Sequence, residues 1–242
     1  MSNNALDGKT CLLTGASGGI GNEIAIKLIE SNCNVFLTGT TQTKLENLIR
    51  KLESINQNNV QIKYSTCDLS NIDDLTKLID KVRNTFSTID VLINCAGVFP
   101  KTTLENSSLA EFENCFNVNV RAPFVLSKEF SKDMINQKWG RIVNIGSSSS
   151  YEGFKETSVY CASKHALLGF SRSLSEELKE FNVRTFCISP GSVKTDMAKI
   201  LTTQDFSTFI DPQEIAQMLI FVISFDNEMI SEEIRLNRLI KK

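Results

Sequence analysis

Tyr160 and Lys164 are the two residues of this sequence whose types and spacing best suit chemistry. They lie four residues apart in a stretch with helical periodicity, which places both side chains on one helix face. A phenol ionises near pH 10, but an adjacent ammonium group stabilises the phenolate and lowers the pKa of the phenol. The pair therefore predicts a proton-transfer site if this helix face lines a cleft. Tyrosine and lysine at this spacing also stack on many solvated helix surfaces.

Glycines concentrate in the segment TGASGGIG, residues 14–21, between the first strand-like run and the first helical pattern. Without a Cβ the chain turns tightly there, and its amides can approach a pyrophosphate at the positive end of the helix. An ordinary glycine-rich turn is the alternative, but the position between a strand and a helix favours a nucleotide site.

Histidine and cysteine chemistry is poorly supported. His165 is the single histidine, and no GxSxG segment accompanies it, which argues against a Ser/His hydrolase. The seven cysteines are spread along the chain and never form CxxC, so we interpret them as reduced, mostly buried side chains. We expect no bound metal.

Short β-rich runs alternate with longer helical patterns along the whole chain, which predicts a doubly wound parallel sheet of the α/β class. A chain of 242 residues with 41% hydrophobic residues suits one large core, so we expect a single domain over 1–242. We predict strands over 10–14, 34–38, 61–66, 89–93, 141–145 and 184–189, and helices over 20–30, 43–54, 72–85, 109–137, 158–180 and 212–224.

Composition excludes several partner classes. The formal net charge of −2, with scattered basic residues, gives no electrostatic reason to expect nucleic acid. No apolar run approaches the roughly 20 residues that span a bilayer, so we expect no membrane partner. The polar start MSNNALDGKT contains no hydrophobic signal segment, and we expect a cytoplasmic protein.

Taken together, several motifs closely resemble those of the short-chain dehydrogenase/reductase family. They are TGASGGIG, NCAG at 94–97, NVN at 117–119, Ser147, YCASK at 160–164 and PGSVKTDM at 190–197, in the family's order and spacing. The resemblance implies a Rossmann fold and hydride transfer between a nicotinamide and a carbonyl or alcohol.

The resemblance also implies roles for single residues. Tyr160 is the proton donor, Lys164 tunes it and holds the cofactor ribose, Ser147 orients the substrate oxygen, and Asn119 holds a relay water. The neighbouring Ser148, Ser149 and Ser150 are alternatives, but the NIGS pattern selects Ser147. The family resemblance, together with the glycine turn, also implies a set of cofactor-binding residues. They are Gly15, Ser17, Gly18, Gly19, Ile20, Gly21, Thr40, Asp68, Leu69, Asn94, Ala96, Gly97, Tyr160, Lys164, Pro190, Gly191, Val193 and Thr195.

The residues after the second strand bear on the choice between NADP(H) and NAD(H). An acidic residue there would bind the ribose 2′-hydroxyl of NAD and repel a 2′-phosphate. The sequence reads Gly-Thr-Thr-Gln at 39–42, with Lys44 beyond and no acid before Glu46. We therefore favour NADP(H). The threonines are also compatible with a simple helix N-cap.

Within the family, the chain most resembles the 3-oxoacyl-[acyl-carrier-protein] reductases, which implies an acyl-thioester substrate. Two segments depart from that group: the predicted substrate loop, 192–211, is short, and the variable C-terminal segment, 228–242, lacks the usual glycine-rich close. Another small carbonyl compound or 3-hydroxy acid is therefore an alternative substrate, and a non-catalytic dinucleotide-binding sensor is the alternative class. The long helices at 109–137 and 158–180 resemble those that pair in family dimers, so we expect a homodimer or homotetramer.

Overall fold

A parallel β-sheet forms the centre of the computed structural model, which describes residues 5–239. Within that range it has seven strands in the order β3-β2-β1-β4-β5-β6-β7, all parallel. The strands are β1 (Thr10–Thr14), β2 (Asn34–Gly39), β3 (Ile62–Thr66), β4 (Val91–Asn94), β5 (Gly140–Ile145), β6 (Val183–Pro190) and β7 (Glu233–Leu236).

Helices connect the strands and cover both faces of the sheet. They are α1 (Gly19–Glu30), α2 (Gln42–Ile55), α3 (Ile72–Thr85), α4 (Leu109–Phe116), α5 (Ala122–Gln137), α6 (Ser158–Leu178) and α7 (Pro212–Ile223). The predicted α/β class and doubly wound parallel sheet are confirmed.

Alternation along the strands divides the apolar core into two halves. Leu13 packs into the half that includes helix α1, whereas its neighbour Leu12 packs into the half that includes α5. Both side chains are fully buried. Successive strand side chains point to opposite faces, so continuous apolar runs such as VLIN belong to a sheet that is covered on both sides.

The strand order reverses between β1 and β4, because β1 pairs with β2 on one side and with β4 on the other. The two connections that leave these strands therefore diverge to opposite faces of the sheet. A crevice opens at the carboxyl ends of the strands at such a point, and ligands bind there in open α/β folds.

The single helix predicted over 109–137 is wrong. Helix α4 ends at Phe116, a π-helical turn follows over Asn117–Arg121, and α5 begins at Ala122. Pro123, in the first turn of α5, has no amide hydrogen and cannot donate to the carbonyl of Asn119 four residues earlier. The α-helical pattern of hydrogen bonds is therefore interrupted at Pro123, and the wider π-helical turn before it accommodates the missing bond.

Smaller corrections concern the other elements. Helix α6 ends at Leu178 rather than near 180, a 3₁₀ turn follows over Lys179–Phe181, and Asn182 in the left-handed conformation stops it. The seventh strand, β7, was not predicted. It lies in the segment 228–242, pairs with β6 at the sheet edge and exposes Glu233 and Arg235.

Residues 5–239 contain no helix that is long and apolar enough to cross a bilayer. Nor does this part of the chain contain a group of three or more His, Cys, Asp or Glu side chains placed to hold a metal ion.

Candidate active site

A large cavity of about 1010 Å³ lies at the carboxyl ends of the strands, at the β1/β4 switch point. Its wall is formed by the glycine turn, the ends of β2 and β4, the segment after β5, helix α6 and the loop after β6. Every residue predicted to bind the cofactor lines it except Asn94, and so do Ser147, Tyr160 and Lys164 among the predicted catalytic residues. The fold thus brings together residues that are as far as 180 positions apart in sequence.

The glycine turn has room for nothing larger than glycine at two places. A Cβ on Gly21 would lie 2.2 Å from the carbonyl oxygen of Gly15, and one on Gly15 would lie 2.7 Å from the backbone of Ala96. Gly15 also has a φ of +66°, in the left-handed region that other residues avoid. These contacts close the turn against the end of β4.

The N-terminus of α1 faces the cavity without a side-chain cap. Gly18 occupies the N-cap position, no side chain accepts from the first-turn amides, and the first turn holds no acidic residue. Unpaired amides and the positive end of the helix dipole favour an anion at such a position. A pyrophosphate therefore fits here.

The end of β2 forms the next part of the wall. Thr40, Thr41 and Lys44 line the cavity. Thr41 occupies the N-cap position of α2, but its side chain makes no capping hydrogen bond, and the first turn of α2 contains no acid. The threonine hydroxyl and the first amides of α2 are therefore available to a ligand.

The Asn94–Gly97 segment is held in place by a residue that the sequence analysis missed. The Thr14 hydroxyl accepts hydrogen bonds from the amides of Cys95 (3.1 Å) and Ala96 (3.2 Å). Asn94 itself is 3% exposed, and its side-chain amide donates to Asn144 at 2.8 Å. Its side chain ties β4 to β5 beneath the cavity instead of lining it.

Tyr160 lines the cavity from the first turn of α6. Its ring packs edge-on against Phe99, with ring centroids 4.6 Å apart. Burial raises the pKa of Tyr160 to about 12, and a hydrogen bond from the Ser147 hydroxyl acts in the opposite direction. The phenol is therefore protonated at neutral pH, as a proton donor must be.

Of the four serines in the run 147–150, Ser147 is the one that hydrogen-bonds the Tyr160 phenol. It lies two residues after β5 and lines the cavity. Its own position is fixed because its Oγ accepts from the Ser149 amide at 3.1 Å and its amide donates to Ser150 Oγ at 3.2 Å. Ser149 and Ser150 are 5% and 1% exposed, and their hydrogen bonds to Ser147 stabilise this turn.

Lys164 lies next to Tyr160, but burial is the dominant influence on the pKa of the phenol, which is raised. Its ammonium donates to the Ile145 carbonyl at 2.8 Å and lies 5.7 Å from the centroid of the Tyr160 ring. The side chain is 4% exposed, and burial lowers the pKa of Lys164 itself. For the Tyr160 phenolate, the cost of burial is therefore the largest influence.

Asn119 is fully buried and does not line the cavity. Its side chain donates to the Val98 carbonyl and to Ser163 Oγ, both at 3.0 Å, and accepts from the Val98 amide at 2.9 Å. It supports the segment after β4 from the π-helical turn. The relay water implied by the family resemblance stays a prediction, and the Asn119 side chain has little hydrogen-bonding capacity left for it.

The loop 192–211 contributes part of the cavity wall, including Ser192, Thr195 and Gln204, and its role as the substrate loop stays a prediction. It contains two 3₁₀ turns, Asp196–Ile200 and Phe206–Thr208, and Val193 pairs with Ile210 across its base. The C-terminal segment also reaches the site, because Asn237 and Arg238 line the cavity beside this loop. Two features of the sequence could have indicated this: the EIRL run at 233–236 suits a β-strand, and an arginine follows it at position 238.

A nicotinamide dinucleotide fits this cavity. The close-packed glycine turn, the uncapped N-terminus of α1 and a continuous wall from Gly15 to Lys164 and Thr195 supply the shape and the donors such a molecule needs. The volume is also within the upper range of pockets that enclose organic ligands.

Comparison with known proteins agrees with this geometry. Residues 9–205 match the short chain dehydrogenase family. The chain belongs to that family. The 3-oxoacyl-[acyl-carrier-protein] reductase FabG of Rickettsia prowazekii (strain Madrid E) is 32% identical over 228 residues, which cover 90% of each chain. The FabG protein of Aquifex aeolicus (strain VF5) is 30% identical over 90% of this chain and 91% of its own.

Solved structures show the same fold. A metagenomic short-chain oxidoreductase, crystallised in complex with NADP, superposes with a TM-score of 0.84 and 29% identity, covering 98% of this chain and 100% of the other. As a short chain dehydrogenase, the protein is an NAD(P)-dependent oxidoreductase that acts on a carbonyl or alcohol group.

Proposed function

We propose that this short chain dehydrogenase reduces the carbonyl group of a small molecule or acyl thioester with NADPH. The observation that carries the proposal is the protonated Tyr160 phenol, hydrogen-bonded to Ser147, in the same cavity as the glycine turn. We call the part of this cavity that is lined by Ser147, Tyr160, the loop 192–211 and Arg238 its substrate end.

The chain's own residues do the following in this mechanism. Ser147 donates a hydrogen bond to the substrate carbonyl oxygen and so orients and polarises it. Tyr160 donates its proton to the same oxygen, a step typically worth about 10² to 10⁴ in rate. Lys164, whose ammonium is fixed on the Ile145 carbonyl, holds the cofactor ribose with its remaining donors. When bound, the nicotinamide supplies the hydride.

The preference for NADPH rests on the end of β2. A 2′-phosphate placed there would meet Thr40, the free Thr41 hydroxyl, the first amides of α2 and the Lys44 ammonium, and no carboxylate in the first turn of α2. Charge-assisted hydrogen bonds of this kind are roughly twice as strong as neutral ones.

Fluorescence titration tests this cofactor assignment. We expect NADPH to bind at least about tenfold more tightly than NADH, since the phosphate gains one or more charge-assisted bonds. Lys44→Gln is expected to weaken NADPH binding and leave NADH binding unchanged, whereas Lys63→Gln, on β3 and outside the cavity, changes neither. Equal affinities for the two cofactors in the parent protein would contradict the assignment.

The leading substrate class is a 3-oxoacyl thioester, because the two relatives reported above carry that activity in their names. Another small ketone or 3-hydroxy acid is the second candidate, because the loop and tail that choose the substrate depart from that group. A sensor that only binds the dinucleotide is the alternative class. The serine, tyrosine and lysine retained on one cavity wall favour an enzyme.

Oxidation of NADPH, followed at 340 nm over a panel of 3-oxoacyl thioesters, 3-oxo esters and simple ketones, tests the function. We expect turnover on at least one substrate class, with the thioesters reduced fastest. NADPH binding without turnover on any member of the panel would refute the reductase and favour the sensor.

We also propose that the protein acts as a homodimer or homotetramer in the cytoplasm. The face formed by α4, α5 and α6 exposes Phe112 (42%) and Phe124 (49%) beside a groove lined by Phe116, Val120 and Phe170. The seven cysteine thiols of the protein are all free, which suits a reducing compartment such as the cytoplasm.

Analytical ultracentrifugation tests the oligomer. The sedimenting mass should be at least twice the chain mass. Phe124→Asp should lower that mass, whereas Ile72→Asp, on α3, should not.

A further inference from the structure

Arg238 is fixed at the substrate end of the cavity by contacts with the loop 192–211. Its guanidinium donates to Gln204 Oε1 at 2.8 Å and to Thr208 Oγ1 at 3.1 Å, and it lies 5.0 Å from the centroid of the Phe209 ring. Phe209 is 3% exposed, so the stacking surface is part of the core. Gln204 is in turn held by the Ser192 hydroxyl at 3.0 Å.

The charge of Arg238 has no counter-ion in the part of the chain that the structure describes. Both of its acceptors are neutral, and no carboxylate of residues 5–239 forms an ion pair with it. A guanidinium has five N–H donors, of which these two bonds use two. Three donors are therefore left for a ligand.

The neighbouring cations differ from Arg238 in this respect. Lys101, which also lines the cavity, pairs with Glu156 at 3.1 Å, and Arg235 pairs with the cavity-lining Glu152 at 3.0 Å. The third carboxylate here, Asp196 of the loop 192–211, pairs with Lys199 at 2.7 Å, so all three carboxylates are neutralised by other residues. Lys155, exposed on the same wall, has no ion-pair partner among the described residues either, so this end of the cavity has an excess of positive charge.

We propose that Arg238 determines substrate specificity by binding an oxyanion group of the substrate, a carboxylate or a phosphate. The inference rests on the proposed reductase function and names the substrate class of the same site. A planar guanidinium matches such groups with two parallel hydrogen bonds. Its plane is already fixed by Phe209, Gln204 and Thr208, so little side-chain entropy is lost on binding.

A purely structural role explains the geometry less well. Tying the tail to Gln204 and Thr208 needs only neutral donors, whereas a half-buried guanidinium without a counter-ion costs desolvation free energy. The tail is also anchored ahead of Arg238, because the Tyr151 hydroxyl donates to Glu233 of β7 at 3.0 Å. Arg238 is thus a rigid part of the cavity wall.

The oxyanion has two possible sources, and matched substrate pairs separate them. Acetoacetate and its ethyl ester differ only in a free carboxylate beside the ketone. Acetoacetyl-coenzyme A and acetoacetyl-N-acetylcysteamine are thioesters with and without phosphates. A preference for the charged member that depends on Arg238 identifies a 3-oxo acid when it occurs in the first pair and a phosphate of the thioester when it occurs in the second.

The test is the ratio of kcat/KM for the charged member to that for the neutral member. In Arg238→Gln we expect this ratio to fall about 10- to 100-fold for one pair, through KM, since a charge-assisted bond contributes about 1.5–3 kcal/mol. Arg238→Lys keeps the charge and should recover part of the ratio. Arg172→Gln is the control, because Arg172 pairs with Glu233 outside the cavity lining.

Two outcomes would overturn the proposal. An equal loss on charged and neutral substrates means that Arg238 only holds the loop, and an unchanged ratio means that it contacts no anion. If the parent protein reduces none of the four compounds and no other member of the substrate panel, the reductase proposal fails separately. Calorimetry of acetoacetate and of coenzyme A with the NADP⁺-saturated protein then decides, because anion binding that Arg238→Gln abolishes supports the site and no binding refutes it.

Discussion

Tyr160→Phe is expected to lower the turnover number for carbonyl reduction by about 10² to 10⁴, the usual contribution of a positioned general acid. The substitution removes the phenolic oxygen that hydrogen-bonds to Ser147 and keeps the ring that packs against Phe99. The fold and the glycine turn therefore remain, and NADPH is expected to bind with its parent affinity in a fluorescence titration.

Tyr151→Phe is the matched control for that experiment. Its hydroxyl donates to Glu233 and lies outside the cavity lining, so its removal should leave the rate of reduction within a few-fold of the parent. Undiminished reduction by Tyr160→Phe would show that another group supplies the proton, with Ser147 the next candidate.

The pH dependence follows from the protonation state of the same phenol. Burial raises the pKa of Tyr160 to about 12, so the proton needed for reduction is present throughout the neutral range. The reverse reaction, alcohol oxidation, needs the phenolate, whose population rises tenfold for each pH unit below that pKa. The rate of alcohol oxidation should therefore rise from pH 7 to 10 without a plateau. Deprotonation of Tyr160 should not lower the rate of reduction over the same range.

Gly21→Ala is expected to abolish measurable cofactor binding and to destabilise the fold. The new Cβ would lie 2.2 Å from the Gly15 oxygen, 2.8 Å from the Gly15 carbonyl carbon and 2.9 Å from the Ala16 Cα. All three contacts are with backbone, so relief requires the turn itself to open. Overpacking of this kind costs about 1–3 kcal/mol, which lowers the melting temperature by several degrees for a chain of this length.

Gly169→Ala is the control, because a Cβ at this exposed position of α6 meets nothing within 4 Å. Alanine there should stabilise the helix by up to about 1 kcal/mol. Differential scanning calorimetry and NADPH titration of both variants provide the comparison. Parent-like NADPH affinity in Gly21→Ala would show that the turn does not form the pyrophosphate site.

The sequence predicted the features that depend on local chemistry. The glycine turn could be placed because glycine alone permits a backbone approach as close as that between Gly21 and Gly15. The strands of the sheet centre could be placed because their apolar runs are continuous. The Tyr160 and Lys164 pair could be placed on one cavity wall because four residues are one helical turn.

Tertiary structure decided the features that depend on what surrounds each residue. The pKa of Tyr160 is set by burial from several elements, so the adjacent lysine was an insufficient guide to it. Asn94 and Asn119 are residues of family motifs, yet their side chains hydrogen-bond to Asn144 and to the Val98 backbone beneath the cavity. No local pattern reveals such partners.

The substrate end of the cavity shows the same division. The loop 192–211 was recognisable as the irregular stretch after β6, at the sheet edge where ligands bind. Arg238 was not recognisable as part of the site, because the position of β7 beside β6 is what carries the tail back to Gln204 and Thr208. The sequence by itself thus determined the reaction type, through short motifs with local geometry. The fold decided which charges face the substrate, since those charges come from segments that meet only through long-range strand pairing.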